Sequence, residues 1–140
     1  SSRKVASQMS FRAPSSFATR VLPAIVCTAL IFYGGLIRIG PLPQVGQVPS
    51  DKVGHALVFG GLAGLFVSAI RFLFPVLSSV RSVLFAVALA SALGALLELC
   101  QMFVTYRSAE FMDWVADTVG AVLVGLAIQV WLRGAPANAR

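Results

Sequence analysis

Charge is what this sequence has least of. Five acidic residues, one histidine and eleven lysines and arginines stand among 140 residues, so that charged side chains make up 11%. A water-soluble domain carries about 25%, and the mean hydropathy of +0.87 excludes that class and points to the membrane. Cysteine is nearly missing too: Cys27 and Cys100 both fall inside apolar segments. With no C-x-x-C or Cys/His ligand spacing around them, the cysteines point to neither a disulfide framework nor a structural zinc site. No basic stripe is present either. The cations are scattered singly among apolar runs, which excludes nucleic acid as a partner and makes them markers of membrane orientation. H-E-x-x-H, G-x-S-x-G, paired Asp-rich metal motifs and a glycine-rich phosphate loop are all lacking, so no motif assigns an enzyme class or a metal site.

What the sequence does have is apolar runs of membrane-crossing length, about 17–25 residues each. They predict an all-α integral membrane bundle of four transmembrane helices near residues 21–37, 51–74, 83–103 and 113–132. Residues 1–20 read as a basic cytoplasmic segment, 21–133 as the membrane domain and 134–140 as a cytoplasmic tail. The first run is longer than a signal-peptide core and offers no small-x-small cleavage site, so it reads as a retained helix. Pro41, Pro43 and Pro49 make 38–50 a loop, because each removes a donor and restricts the residue before it. Ser50 is placed to cap the second helix, with Asp51 in its first turn. Small residues recur at helix-contact spacing: Gly60/Gly64, Ala90/Gly94, Ala116/Gly120 and Ala121/Gly125. Such stripes let helix backbones approach in lipid.

Four helices put both termini on one side, and eight of the eleven cations then share the face that holds the termini. Arg38, Lys52 and Arg107 fall on the other. This bias predicts cytoplasmic termini. All five acids, Asp51, Glu98, Glu110, Asp113 and Asp117, lie toward the extracytoplasmic ends, with His55, Gln101 and Arg107. Asp51 and His55 are one helical turn apart, as are Glu98 and Gln101, and Asp113 and Asp117, so each pair shares a helix face. Three helix ends therefore present polar pairs at one level, and one convergent site is the economical arrangement.

Blander roles exist for each residue. Asp51 and Asp113 sit where caps and the helix dipole explain an acid. Lys52 is long enough to snorkel, and Arg107 serves as an interfacial anchor. His55 can fill a satisfied polar niche. Glu98 and Asp117 lie deeper in their spans, where a charge at the helix centre costs roughly 2.5–3.5 kcal/mol on insertion scales. They require partners, water or a proton, and a purely structural ion pair with Arg107 or His55 is one way to supply them.

The pattern resembles the VanZ-like membrane proteins. The resemblance rests on Asp51-Lys52-x-x-His55 opening the second helix, Glu98-x-x-Gln101 ending the third, and Arg107 followed by Glu110, Asp113, Asp117 and Gly120. It covers residues 51–125. The chain departs from the family pattern at Asp117, where asparagine is common, and at Thr105-Tyr106, where Pro-Gly is common. The resemblance implies a small protein of the bacterial cytoplasmic membrane, in a family named for a link to teicoplanin resistance.

Three functions follow as expectations. The first is a binding module: Asp51, Lys52, His55, Glu98, Gln101, Arg107, Asp113 and Asp117 hold the headgroup of a membrane lipid or lipid-linked envelope intermediate. Lys52 and Arg107 would meet phosphate there. The second is an accessory or scaffold subunit whose small-residue stripes dock a larger membrane protein. The third is an enzyme using His55 beside Glu98 and Asp117, with a divalent cation such as magnesium or zinc compatible with the donors. The binding and scaffold readings lead, and the residues identify no cofactor.

Overall fold

The computed structural model describes residues 16–37, 50–106 and 108–134, and within them every regular element is a helix. A single turn α1 (Phe17–Arg20) leads into α2 (Leu22–Leu36), followed by α3 (Ser50–Leu73), α4 (Ser79–Gln101) and α5 (Phe111–Gly134). Three of these, α3, α4 and α5, are long and apolar enough to cross a membrane, with 23, 23 and 24 residues in their apolar spans. The helix α2 has 15 residues, about 22 Å at the usual rise per residue, which is shorter than the roughly 30 Å hydrocarbon core. It is not isolated, however. Val21 adopts helical angles, and its N–H bonds Phe17 O at 2.8 Å, so α1 and α2 form a nearly continuous helical path with Pro23 at the break. Proline fits there because the first turn of a helix does not use that N–H.

Some helix boundaries differ from the sequence reading for local reasons. The third apolar helix begins at Ser79 rather than 83, because extended Ser78 is its N-cap: the Ser78 hydroxyl accepts the Arg81 N–H at 3.4 Å. The connection from Pro75 is correspondingly tighter. The same helix ends at Gln101, where a tight turn takes over and Val104 N–H bonds Gln101 O at 3.0 Å. The helix α3 includes Ser50.

Helices α3 and α5 run parallel, α4 runs antiparallel to both, and the three pack mutually around Phe59, Leu62, Ala63, Ala86, Leu97 and Ala121. The small residues set the spacing. A Cβ on Gly120 would overlap the backbone of Ala56, and one on Gly60 would lie 3.0 Å from Gly120 O, so α3 and α5 are in backbone contact. A Cβ on Gly125 would meet Val87 at 2.7 Å, and one on Gly94 would meet Asp117 Oδ2 at 2.7 Å. In lipid, where no hydrophobic drive pulls helices together, such close approach is the main source of packing energy. The α1–α2 path lies at the edge, against α3 and α4, tied at its α1 end by Arg20 Nη1 to Ser68 Oγ (3.4 Å) and at its α2 end by Gln101 Nε2 to Gly35 O (3.1 Å).

Candidate functional site

The α3–α5 backbone contact at Ala56 and Gly120 brings the first turns of those two helices side by side, and α4 ends at the same level. His55 precedes the contact residue on α3, and Asp117 lies one turn before Gly120 on α5. His55 Nδ1 and Asp117 Oδ1 are 2.9 Å apart, with Asp117 fully buried. Asp117 is buried partly by α4, since Gly94 leaves room for its carboxylate.

One turn outward, Lys52 Nζ donates to Asp113 Oδ1 and to Glu110 Oε2 at 2.7 Å, with Asp51 Oδ2 at 3.5 Å. The other Asp113 oxygen, Oδ2, lies 3.7 Å from His55 Nε2, beyond hydrogen-bonding range. Glu98, at the end of α4, accepts the Glu110 backbone N–H on Oε2 at 2.8 Å. Two carboxylate oxygens, Glu98 Oε1 and Asp117 Oδ2, are buried with no hydrogen-bond partner among the described residues. A buried acceptor left alone costs about 1–3 kcal/mol, more if charged, so both need explaining.

The expected convergence of Asp51, Lys52, His55, Glu98, Asp113 and Asp117 is present. Asp113 is more than a cap. It is buried and joins Lys52 to the neighbourhood of His55. Lys52 does not simply snorkel, because its ammonium is held by carboxylates and is not free to meet a phosphate. Gln101 sits at the same end but serves the α4–α2 contact through Gly35. Arg107 lies outside the described residues, as do Arg38 and the prolines of 38–49.

Two features were not in the sequence-derived site. Glu110 contributes both its side chain to Lys52 and its N–H to Glu98; its position one helical turn before Asp113 was the available signal. Next to the cluster, Trp114 Nε1 donates to Ser91 O at 3.1 Å, and Ser91 Oγ and Thr118 Oγ1 are 2.8 Å apart, locking α4 to α5.

Between α2, α3 and α4 lies a cavity of about 530 Å³ with largely apolar walls. Leu30, Ile31, Val58, Phe59 and Leu97 line it, Gly34, Gly35 and Gly54 leave space for it, and Asp51, His55 and Gln101 supply its polar contacts. His55 and Asp51 thus belong to both the charged cluster and the cavity wall.

Apolar helices of spanning length with an acid-rich cluster at one end define a small multi-pass membrane protein. A family profile described as VanZ/LLP1 matches residues 6–133, and the chain belongs to that family. Neither the curated proteins nor the solved structures yield a match to it.

Proposed function

We propose that the chain binds an amphipathic lipid or lipid-linked envelope intermediate, with an acyl or prenyl chain in the α2–α3–α4 cavity and the headgroup at the charged end. The observation that carries this is the continuity of the two surfaces: His55 and Asp51 line an apolar cavity whose volume, about 530 Å³, falls in the range of ligand sites. With Lys52 committed to acids, Asp51 and the remaining acceptor of Gln101 favour headgroups that donate hydroxyl or amine hydrogens. The host is the bacterial cytoplasmic membrane. There the α1–α2 path is a fourth span, both termini are cytoplasmic, and the site opens outward to where envelope precursors and glycopeptides meet. A resistance or envelope-maintenance role follows from that position.

The experiment is mass spectrometry of lipids retained by protein purified in mild detergent. A defined lipid class is expected to remain with the wild-type chain and to weaken with Asp51→Asn, which removes charge at the cavity mouth. Retention of bulk membrane lipid only, unchanged by the substitution, contradicts the reading.

A further inference from the structure

The charged end brings three potential ligand groups together. Atoms of His55, Glu98 and Asp113, one per residue, lie within 4.8 Å of each other. In each residue the other polar atom is already taken, by a different group. His55 Nδ1 is held by Asp117, Asp113 Oδ1 by Lys52 and Glu98 Oε2 by the Glu110 N–H. What is left is His55 Nε2, Asp113 Oδ2 and Glu98 Oε1.

Among the described residues none of the three atoms has a hydrogen bond, and Glu98 Oε1 is also cut off from solvent. In the neutral tautomer in which Asp117 accepts the Nδ1 proton, the imidazole presents a lone pair at Nε2. It lies 3.7 Å from Asp113 Oδ2, beyond hydrogen-bond range. Glu98 is 8% exposed, and its Oε1 has no hydrogen-bond partner among the described residues. In that tautomer three acceptors from three helices come together, an arrangement that a cation would join. Among the described residues the cation at this end is Lys52, and its ammonium is on the other oxygen of Asp113.

We propose that His55, Glu98 and Asp113 bind one divalent transition-metal ion, zinc by donor chemistry, with Asp117 as the group that orients the imidazole. One imidazole nitrogen and two carboxylate oxygens suit zinc better than magnesium, which keeps mainly oxygen and water ligands. Ligands around tetrahedral zinc are about 3.3–3.6 Å apart given bond lengths near 2.0–2.2 Å, so the His55–Asp113 separation of 3.7 Å needs only a small contraction. The Asp117–His55 pair is the carboxylate–histidine–metal arrangement that fixes the tautomer of a ligating histidine. Three protein ligands leave a fourth position, and His55 borders the cavity. An ion there offers a headgroup phosphate the positive partner that Lys52 does not. The ion does not depend on lipid, and the two readings fail separately.

The test is zinc uptake by tag-free protein in detergent, in a Cys27→Ser/Cys100→Ser background that removes adventitious thiolates, after stripping with a chelator. Equilibrium dialysis against zinc chloride is expected to give one zinc per chain and a zinc-dependent rise in melting temperature. Outer-shell losses at metal sites cost about 10–100-fold in affinity, so His55→Ala and the isosteric Glu98→Gln should each lose at least that much. If His55→Ala does not fold, Glu98→Gln decides alone. No uptake by the wild-type ligand set, or stoichiometric uptake that survives in the folded variants, overturns the proposal. Lipid content measured on the same samples separates the readings: lipid retained without zinc uptake sinks this inference alone, and zinc without defined lipid sinks the lipid reading alone.

Discussion

At the residue scale, Lys52 and Asp113 show most clearly how one side chain's place depends on another helix. Asp113 is buried in the first turn of α5, and Lys52 is the cation that holds its Oδ1. Breaking a fully buried pair from one side costs about 3–5 kcal/mol. With Lys52 28% exposed, Lys52→Ala should cost less, about 2 kcal/mol on that same scale. A double-mutant cycle of Lys52→Ala with Asp113→Asn, read by thermal melting in detergent, should show a coupling of about 0.5–3 kcal/mol. Additive losses would mean the two residues act separately. Much of this set was legible in sequence, because turn spacing shows which acids share a face. Spacing does not show the register of the facing helix. For that reason Asp113 looked sufficient as a cap, Lys52 looked free, and Glu110, exposed at the start of α5, was left out of the binding set.

At the element scale, the small-residue stripes determine where helices touch. The sequence named Gly60, Gly64, Ala90, Gly94, Ala116, Gly120, Ala121 and Gly125 as contact candidates, but the partner surfaces emerged only in three dimensions: Gly120 on Ala56, Gly94 on Asp117, Gly125 on Val87. The crossing at Gly120 also sets the His55–Asp117 distance, since both residues lie within a turn of it. Gly120→Ala should force α3 and α5 apart, and overpacking of this kind costs roughly 1–3 kcal/mol or more. Gly61→Ala supplies the contrast. A Cβ there meets nothing within 4 Å, so the higher helix propensity of alanine should stabilise by about 0.5–1 kcal/mol. Opposite shifts in melting temperature are expected, and a neutral Gly120→Ala would contradict the close crossing. The boundary at Ser79 was missed for a related reason: the apolar run begins later than the helix, and only the Ser78 cap marks its true start.

At the scale of the whole molecule, charge and shape divide the bundle end to end. Arg20, Arg71, Arg81 and Arg133 occupy the helix ends opposite the acid cluster, as the positive-inside rule expects of a cytoplasmic face. Single cysteines at Ser7, Gln47, Val76 and Ser108 in a cysteine-free background, treated with an impermeant maleimide in intact cells, should label at Gln47 and Ser108 only. Equal labelling at Ser7 and Gln47 would mean that α1–α2 does not cross, and the reverse pattern would invert the molecule. The apolar character of these helices was readable from composition. The cavity was not, because it arises between α2, α3 and α4 beside Gly34, Gly35 and Gly54 and no periodicity encodes that gap.

That cavity also gives the most direct test of the account, that its apolar space and charged mouth hold one lipid. Gly54 lines it, and a Cβ there meets nothing within 4 Å. Gly54→Leu therefore fills the space without a clash at Cβ, and leucine is favoured over glycine in a helix by up to about 1 kcal/mol. Gly61→Leu makes the same change at an open position of α3 outside the cavity. Retained lipid per chain, quantified for both variants at equal melting temperature and monodispersity, is the measurement. The account predicts that Gly54→Leu loses the specifically retained lipid about tenfold, a difference of roughly 1.4 kcal/mol in binding, while Gly61→Leu keeps it. Equal retention by the two variants would contradict it.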